Sequence, residues 1–281
     1  MTLLDTYATA TIMDRVEIPE PIDPLLDKLR HRGGVVMVTG GLGSLGLAVG
    51  DLLDDAGIEH VLVDQREMDV TDAVQVKCAM AIFRPTTILH LAGAKHAPEG
   101  ELDPLEPARV HIDGTRNILD WSPPGTRIVT ASTCKSCDPE TAYGATKLVA
   151  ERLTLNAGQR VARFHNVVET SGNVFEIWAA HDDYPLDVAP CLRYFITLRE
   201  ALSALLYAAT APPGRYAISP GEAQDMRCVA GRLYPQRERR AIKPRRGDRI
   251  AEPLVAASET IEFVTDRMLR ISSPHDPKAP A

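Results

Sequence analysis

Tyr143 and Lys147 stand four residues apart in a segment of helical periodicity, so both side chains share one face. A free phenol has a pKa of about 10 and is a weak base at neutral pH. A neighbouring ammonium and a positively charged nicotinamide ring would both favour the phenolate. Such a phenolate can take a hydroxyl proton while the same carbon gives up hydride to a dinucleotide. Just upstream, Thr130, Ala131, Ser132 and Thr133 close an apolar run and offer hydroxyls to hold the reacting oxygen. Cys134 and Lys135 follow directly.

A second pattern supplies a place for that dinucleotide. Gly40, Gly43 and Gly46 follow the apolar run Val35–Val38 and open a stretch with helical spacing at Leu45, Ala48, Val49, Leu52 and Leu53. Gly40 suits a tight turn, Gly43 lets backbone approach a pyrophosphate, and Gly46 lets the helix pack close to the strand. The helix start, with Ser44 and Leu45, attracts the negative charge. Asp64 closes the next apolar run, 18 residues after Gly46. A carboxylate there accepts from ribose hydroxyls and repels a 2′-phosphate, which favours NAD over NADP. Asp69 and Val70 suit the adenine edge, and Leu91, Ala92 and Gly93 end the third strand beside the same ligand. Cys134 and Cys137 form a Cys-x-x-Cys, but two further ligands at matching spacing are missing, so no metal is expected.

The elements that must carry these residues alternate. Strands are expected at 35–38, 61–63, 88–91, 127–130 and 161–164, and helices at 45–56, 73–83, 107–119 and 143–156. Such alternation gives right-handed crossovers and a parallel sheet covered on both faces. The fold class is therefore α/β, a Rossmann-type doubly wound sheet with a small C-terminal substrate-binding region. Residues 1–32, polar and punctuated by Pro19, Pro21 and Pro24, read as an N-terminal extension with a weak helix at Leu25–Leu29. Residues 33–170 form the NAD(P)-binding domain. Residues 171–281 are mainly the substrate-binding region, with a helix expected at 198–209 and some segments returning to the sheet.

Bulk properties narrow the function. The 281 residues carry a formal charge of -7 with acids and bases interspersed, which disfavours nucleic acid as a partner. No apolar stretch is long enough for a bilayer, and Met1–Asp14 has no basic start, so a cytosolic protein without membrane partners is expected. Five cysteines at irregular spacing read as thiols.

The segment from Pro85 to Pro98 (PTTILHLAGAKHAP) resembles the CapD-type polysaccharide-biosynthesis proteins, the UDP-N-acetylglucosamine 4,6-dehydratases of the extended short-chain dehydrogenase/reductase superfamily. Similar correspondences occur at Pro104–Glu106, Gly114–Asn117, Ser132–Lys135, Tyr143–Lys147, Ala162–Val167, Ser171–Val174, Leu192–Phe195 and Arg245–Arg249. Coverage runs from Gly33 to Pro274, and Ile12–Arg32 is similar to the lead-in of longer, membrane-anchored members. The resemblance implies a nucleotide-diphosphate sugar as substrate and NAD as cofactor. Tyr143 would be the oxidising base, Lys147 its electrostatic partner, and Thr133 the group that positions the sugar 4-hydroxyl. Lys135 would remove the C5 proton made acidic by a 4-ketone. Asn166, Arg193 and Arg245 would hold the diphosphate, with Asn173 a further substrate contact, and Lys95 and His96 would line the sugar pocket. Members of this fold often pair through helices, so a homodimer is expected.

One position departs from the family. Where it has an Asp that protonates the departing 6-hydroxyl, this chain has Cys134. A thiol with a pKa near 8.5 donates less readily than a neutral carboxylic acid. This leaves 4,6-dehydration, 5,6-dehydration, epimerisation with Cys134 as proton carrier, and dinucleotide binding without turnover as alternatives.

Overall fold

The computed structural model describes residues 21–94, 97–180 and 184–277. Short apolar runs become strands buried on both faces. Val36–Thr39 (β1) and Thr87–His90 (β3) are buried throughout, flanked by His60–Val63 (β2), Arg127–Thr133 (β4) and Arg160–Phe164 (β5). The chain returns later with Gly214–Ile218 (β6), Thr260–Phe263 (β7) and Met268–Ser272 (β8). The order in the sheet is β7-β8-β6-β5-β4-β3-β1-β2. All pairings from β2 to β6 are parallel, and only β8 runs against its neighbours. The chain leaves β1 for β2 on one side and crosses back to β3 on the other. Between the carboxyl ends of β1 and β3 lies the switch point at which a doubly wound sheet opens its ligand crevice.

The helices begin where side chains satisfy their first N–H groups. Asp72 accepts from Val74 and Gln75 N–H at the start of Ala73–Phe83, and Thr141 accepts from Gly144 N–H at the start of Ala142–Asn156. Thr197 and Glu200 form a reciprocal capping box on Leu198–Thr210. Ser44–Asp55 has no side-chain cap, which leaves its N–H groups open at the crevice. In chain order the helices are α1 (Asp23–Arg32), α2 (Ser44–Asp55), α3 (Ala73–Phe83), α4 (Ala97–Leu102), α5 (Leu105–Ala108), α6 (Gly114–Trp121), α7 (Ala142–Asn156), α8 (Val174–Ala180), α9 (Leu198–Thr210) and α10 (Met226–Leu233). Between α5 and α6 the helix widens to a π-turn, Arg109–Asp113.

One core cluster joins Ile22, Leu25, Leu26 and Leu29 of the α1 region to β1, α2, α9 and β6, so the described part of the N-terminal extension is packed. The other face of the sheet is covered by α3 and α6 through Met80, Val76 and Ile118. A separate cluster, Trp178, Leu186, Val188, Phe195, Met226 and Val229, forms the body of the C-terminal region.

A buried ion network ties the C-terminal hairpin to the sheet. Glu151 of α7 accepts from Arg163 at 2.7 Å and from Arg215 at 2.7 Å. Arg163 also pairs with Glu259, and Arg215 with Asp276. Burial opposes the charge, yet the two guanidinium groups hold the Glu151 carboxyl at about 2. Removing one partner from such a network costs about 3–5 kcal/mol, because a charge is left buried and unpaired.

Candidate active site

The glycine turn after β1 packs against the end of β3. Gly40 has φ +67°, and a Cβ there would lie 2.8 Å from the Ala92 nitrogen. A Cβ on Gly46 would lie 2.5 Å from the Gly40 oxygen, so the first turn of α2 sits directly on the loop. His90 joins the end of β3 to β1 through Thr39 at 2.8 Å and to α6 through Thr115 at 3.3 Å. Asp64 accepts from Leu42 N–H at 3.0 Å and so fixes the loop to the end of β2. Asp69 accepts from Thr71, and Ser44 accepts from Ser171 N–H across the crevice at 3.0 Å.

Around this turn lies a cavity of about 620 Å³ lined by Gly40, Gly43, Ser44, Leu45, Gly46, Asp64, Asp69, Val70, Leu91, Ala92, Gly93, Tyr143 and Lys147. Every residue expected from the sequence to touch a dinucleotide borders it. The open N–H groups of α2, a cradle that a Cβ would fill, and a carboxylate at the end of β2 fit a pyrophosphate and a ribose.

α7 places both Tyr143 and Lys147 on this cavity. Lys147 is buried, donates to Ala131 O at 3.3 Å, and lies close beneath Gly93. Burial pulls its ammonium down to about 8, partly offset by Glu151. Burial pushes the Tyr143 phenol above its ordinary value, and the cation that opposes this is Lys135.

His111, in the π-turn, supports the phenol from behind. Its ring meets Tyr143 edge-on, with centroids 5.1 Å apart at 87°. Its Nε2 accepts from Ala94 N–H at 3.1 Å, so Nδ1 carries the proton and donates to Thr146 Oγ1 at 2.9 Å. Burial and the Lys147 charge hold this imidazole neutral, with a pKa of about 2. Its role is not legible in the sequence, where it lies in an ordinary amphipathic stretch.

A larger cavity of about 1020 Å³ opens on the other side of Lys135. Its walls include the apolar Phe175, Trp178 and Phe195, and Arg193, Arg237, Arg240 and Arg245 border it. Asn166, Arg193 and Arg245 therefore come together as expected. Arg245 is 61% exposed and pairs with Asp248 at 3.3 Å, so its guanidinium can rearrange. Asn173 borders the cavity but its amide is spent: it donates to Val168 O and Thr170 O and accepts from Phe175 and Glu176 N–H. It caps α8, which corrects its reading as a free substrate contact. Lys95 and His96 lie outside the described residues.

Thr133 at the end of β4 is partly exposed, and its Oγ1 accepts from Lys135 N–H at 3.3 Å. Its neighbour Cys134 needs correction. Cys134 is fully buried, 3.8 Å from Thr133 Oγ1 and 3.7 Å from a carboxylate oxygen of Glu252, and it borders neither cavity. Burial pushes its thiol up to about 11, Lys135 opposing only in part. Cys137 donates to Leu254 O, and among the described residues no cluster with metal-ligand geometry occurs. Glu252 itself, 117 residues beyond Lys135, carries no sequence signal of its own.

The model of the polysaccharide biosynthesis protein family matches residues 61–272. The chain belongs to this family. An uncharacterized membrane protein of Methanocaldococcus jannaschii is 30% identical over 178 residues, 52% of this chain and 53% of that one. The chain thus spans about half the length of that relative. An inverting UDP-N-acetylglucosamine 4,6-dehydratase of Campylobacter jejuni is 24% identical over 272 residues, covering 82% of this chain and 81% of that one. The Thermus thermophilus UDP-glucose 4-epimerase, solved in complex with NAD, superposes with a TM-score of 0.69 at 23% identity, over 78% of this chain and 90% of that one. That likeness establishes the doubly wound Rossmann fold. No helix among the described residues is long and apolar enough to cross a membrane.

Proposed function

We propose that this chain is a nucleotide-sugar dehydratase that uses NAD, acting by transient oxidation at C4 of the sugar and loss of water across C5 and C6. The observation that carries this reading is the placing of Tyr143 on the glycine-lined cavity and of Lys135 on the arginine-lined one, with the Lys135 charge acting on the phenol. A reaction centre shared by a dinucleotide and a second, phosphate-bearing ligand needs this arrangement.

A bound nicotinamide supplies the reversible removal of hydrogen from C4. The residues of this chain do the rest. The α2 N–H groups and the glycine turn hold the pyrophosphate, and Asp64 accepts from the ribose, favouring NAD over NADP. Arg193 and Arg245 hold the sugar-bearing diphosphate, with the aromatic wall beside the base. Tyr143 Oη takes the proton of the 4-hydroxyl. The resulting ketone acidifies C5–H, and water then leaves from C5 and C6. The UDP-N-acetylglucosamine dehydratase of Campylobacter jejuni supports a UDP-N-acetylhexosamine as first substrate to try.

The test is incubation with NAD and UDP-GlcNAc or related nucleotide sugars, read by mass spectrometry. A product lighter by one water supports dehydration. A product of unchanged mass and inverted stereochemistry would make the chain an epimerase, and no conversion of any nucleotide sugar would refute the reading.

A further inference from the structure

We propose that Glu252 and Lys135 form the proton-transfer pair of the elimination, with the Glu252 carboxylate, rather than Lys135 as the family resemblance implies, taking the proton from C5 and the Lys135 ammonium giving one to the departing hydroxyl. This rests on the dehydration reading above.

Glu252 lines the larger cavity, yet its side chain is only 1% exposed. Its Oε2 accepts from Lys135 Nζ at 3.0 Å and from Asn166 Nδ2 at 3.4 Å. Among the described residues its Oε1 is buried without a hydrogen-bond partner, with the Arg193 guanidinium 3.7 Å away. A buried carboxylate oxygen left unsatisfied is costly, and in a folded protein it marks a place kept for another group. Lys135, 20% exposed, borders the same cavity. Cys134, the residue expected to serve as donor, does not.

Charge supports the division of labour. Burial opposes both ions, but Lys135 and then Arg193 hold the Glu252 carboxyl below its ordinary range. Cys134 and Glu252 together keep the Lys135 ammonium above its own. At neutral pH the pair therefore stands ready with one base and one acid side by side.

The step balances within the pair. The C5–H bond breaks, its proton goes to Glu252, and its electron pair forms the C5=C6 double bond. The C6–O bond breaks, and the oxygen leaves with its electron pair and the Lys135 proton as water. A proton then passes from the neutral Glu252 to the neutral Lys135 across their hydrogen bond, which restores both.

The experiment compares wild type with Glu252→Gln at stoichiometric NAD and UDP-GlcNAc, reading water loss by mass and trapping any 4-ketone with borodeuteride. We expect water loss to fall by at least ~100-fold in Glu252→Gln, while deuterium is still trapped at C4. Water loss within about threefold of wild type, a smaller change than removing a proton-transfer group should give, would overturn the proposal. So would a variant that traps no ketone where wild type does, since Glu252 would then serve the oxidation. If wild type itself neither traps a ketone nor loses water, the dehydration reading fails and takes this pair with it. Should Glu252→Gln lack a cooperative thermal transition, Glu252→Asp carries the test: slowed water loss with normal trapping supports the pair, and unchanged water loss overturns it.

Discussion

Around the smaller cavity, the groups that would hold a pyrophosphate are backbone atoms of the turn from Gly40 to Gly46 and the open first turn of α2. Around the larger cavity they are side chains, Arg193, Arg237, Arg240, Arg245 and Glu252, brought from separate segments of the C-terminal half. The first site is made by a local run of residues whose small size is the point. The second exists only after the chain has folded back on itself. Damage to the first should therefore be steric and all-or-none, while damage to the second should be graded and electrostatic.

The sharpest break between them is Tyr143→Phe, which removes the proton acceptor without disturbing either lining. Turnover should fall by about 10³-fold or more, with dinucleotide and nucleotide-sugar affinities, measured by calorimetry, each staying within about twofold because no binding group is lost. Next comes Gly46→Ala. Its Cβ would meet the Gly40 oxygen at 2.5 Å, so dinucleotide affinity should drop by about 100-fold or more, the cost of about 3 kcal/mol of overpacking. Nucleotide-sugar affinity should be nearly unchanged in the same calorimeter. Equal loss at both sites would erase the distinction between the cavities. Arg245→Ala should do the reverse and more gently: KM for the nucleotide sugar rises by about 10-fold, the loss of one charge-assisted contact, with dinucleotide affinity intact.

The last contrast concerns the scaffold that both cavities share. Burial holds His90 and His165 at about 3 and His111 at about 2, all below the ordinary histidine value of 6.5. Between those limits the unfolded chain binds more protons than the folded one, so stability is full above pH 6.5 and declines as pH falls. Glu151, depressed from 4.5 to about 2, adds a second loss below pH 4.5. The melting temperature should therefore fall in two stages on acidification, and His111→Asn should flatten the first.

The same contrast explains what the sequence makes legible. The strand–glycine–helix order, Asp64 and the Tyr-x-x-x-Lys pair are local patterns, and β1, α2, α3 and α7 fall within a residue or two of their expected bounds. Tail elements are harder. Segments α8 and α10 are short and irregularly patterned, and the β7–β8 hairpin closes the sheet through Glu259 and Asp276, whose partners Arg163 and Arg215 lie 96 and 61 residues away. Cys134 is misread for a related reason. Its place beside Lys135 in sequence says nothing of burial, and the carboxylate that meets Lys135 arrives from residue 252. His111 escapes notice because a π-turn, not the regular helix the spacing implies, aims it at Tyr143.

If the two cavities serve one carbon centre, the hydrogen taken from C4 must return to the same sugar. The direct measurement is mass spectrometry of the product formed from UDP-GlcNAc carrying deuterium at C4. Retention of the deuterium in a product lighter by one water is the expected result. Deuterium lost from the sugar, or water lost with C4 never oxidised, would contradict the joint use of both cavities.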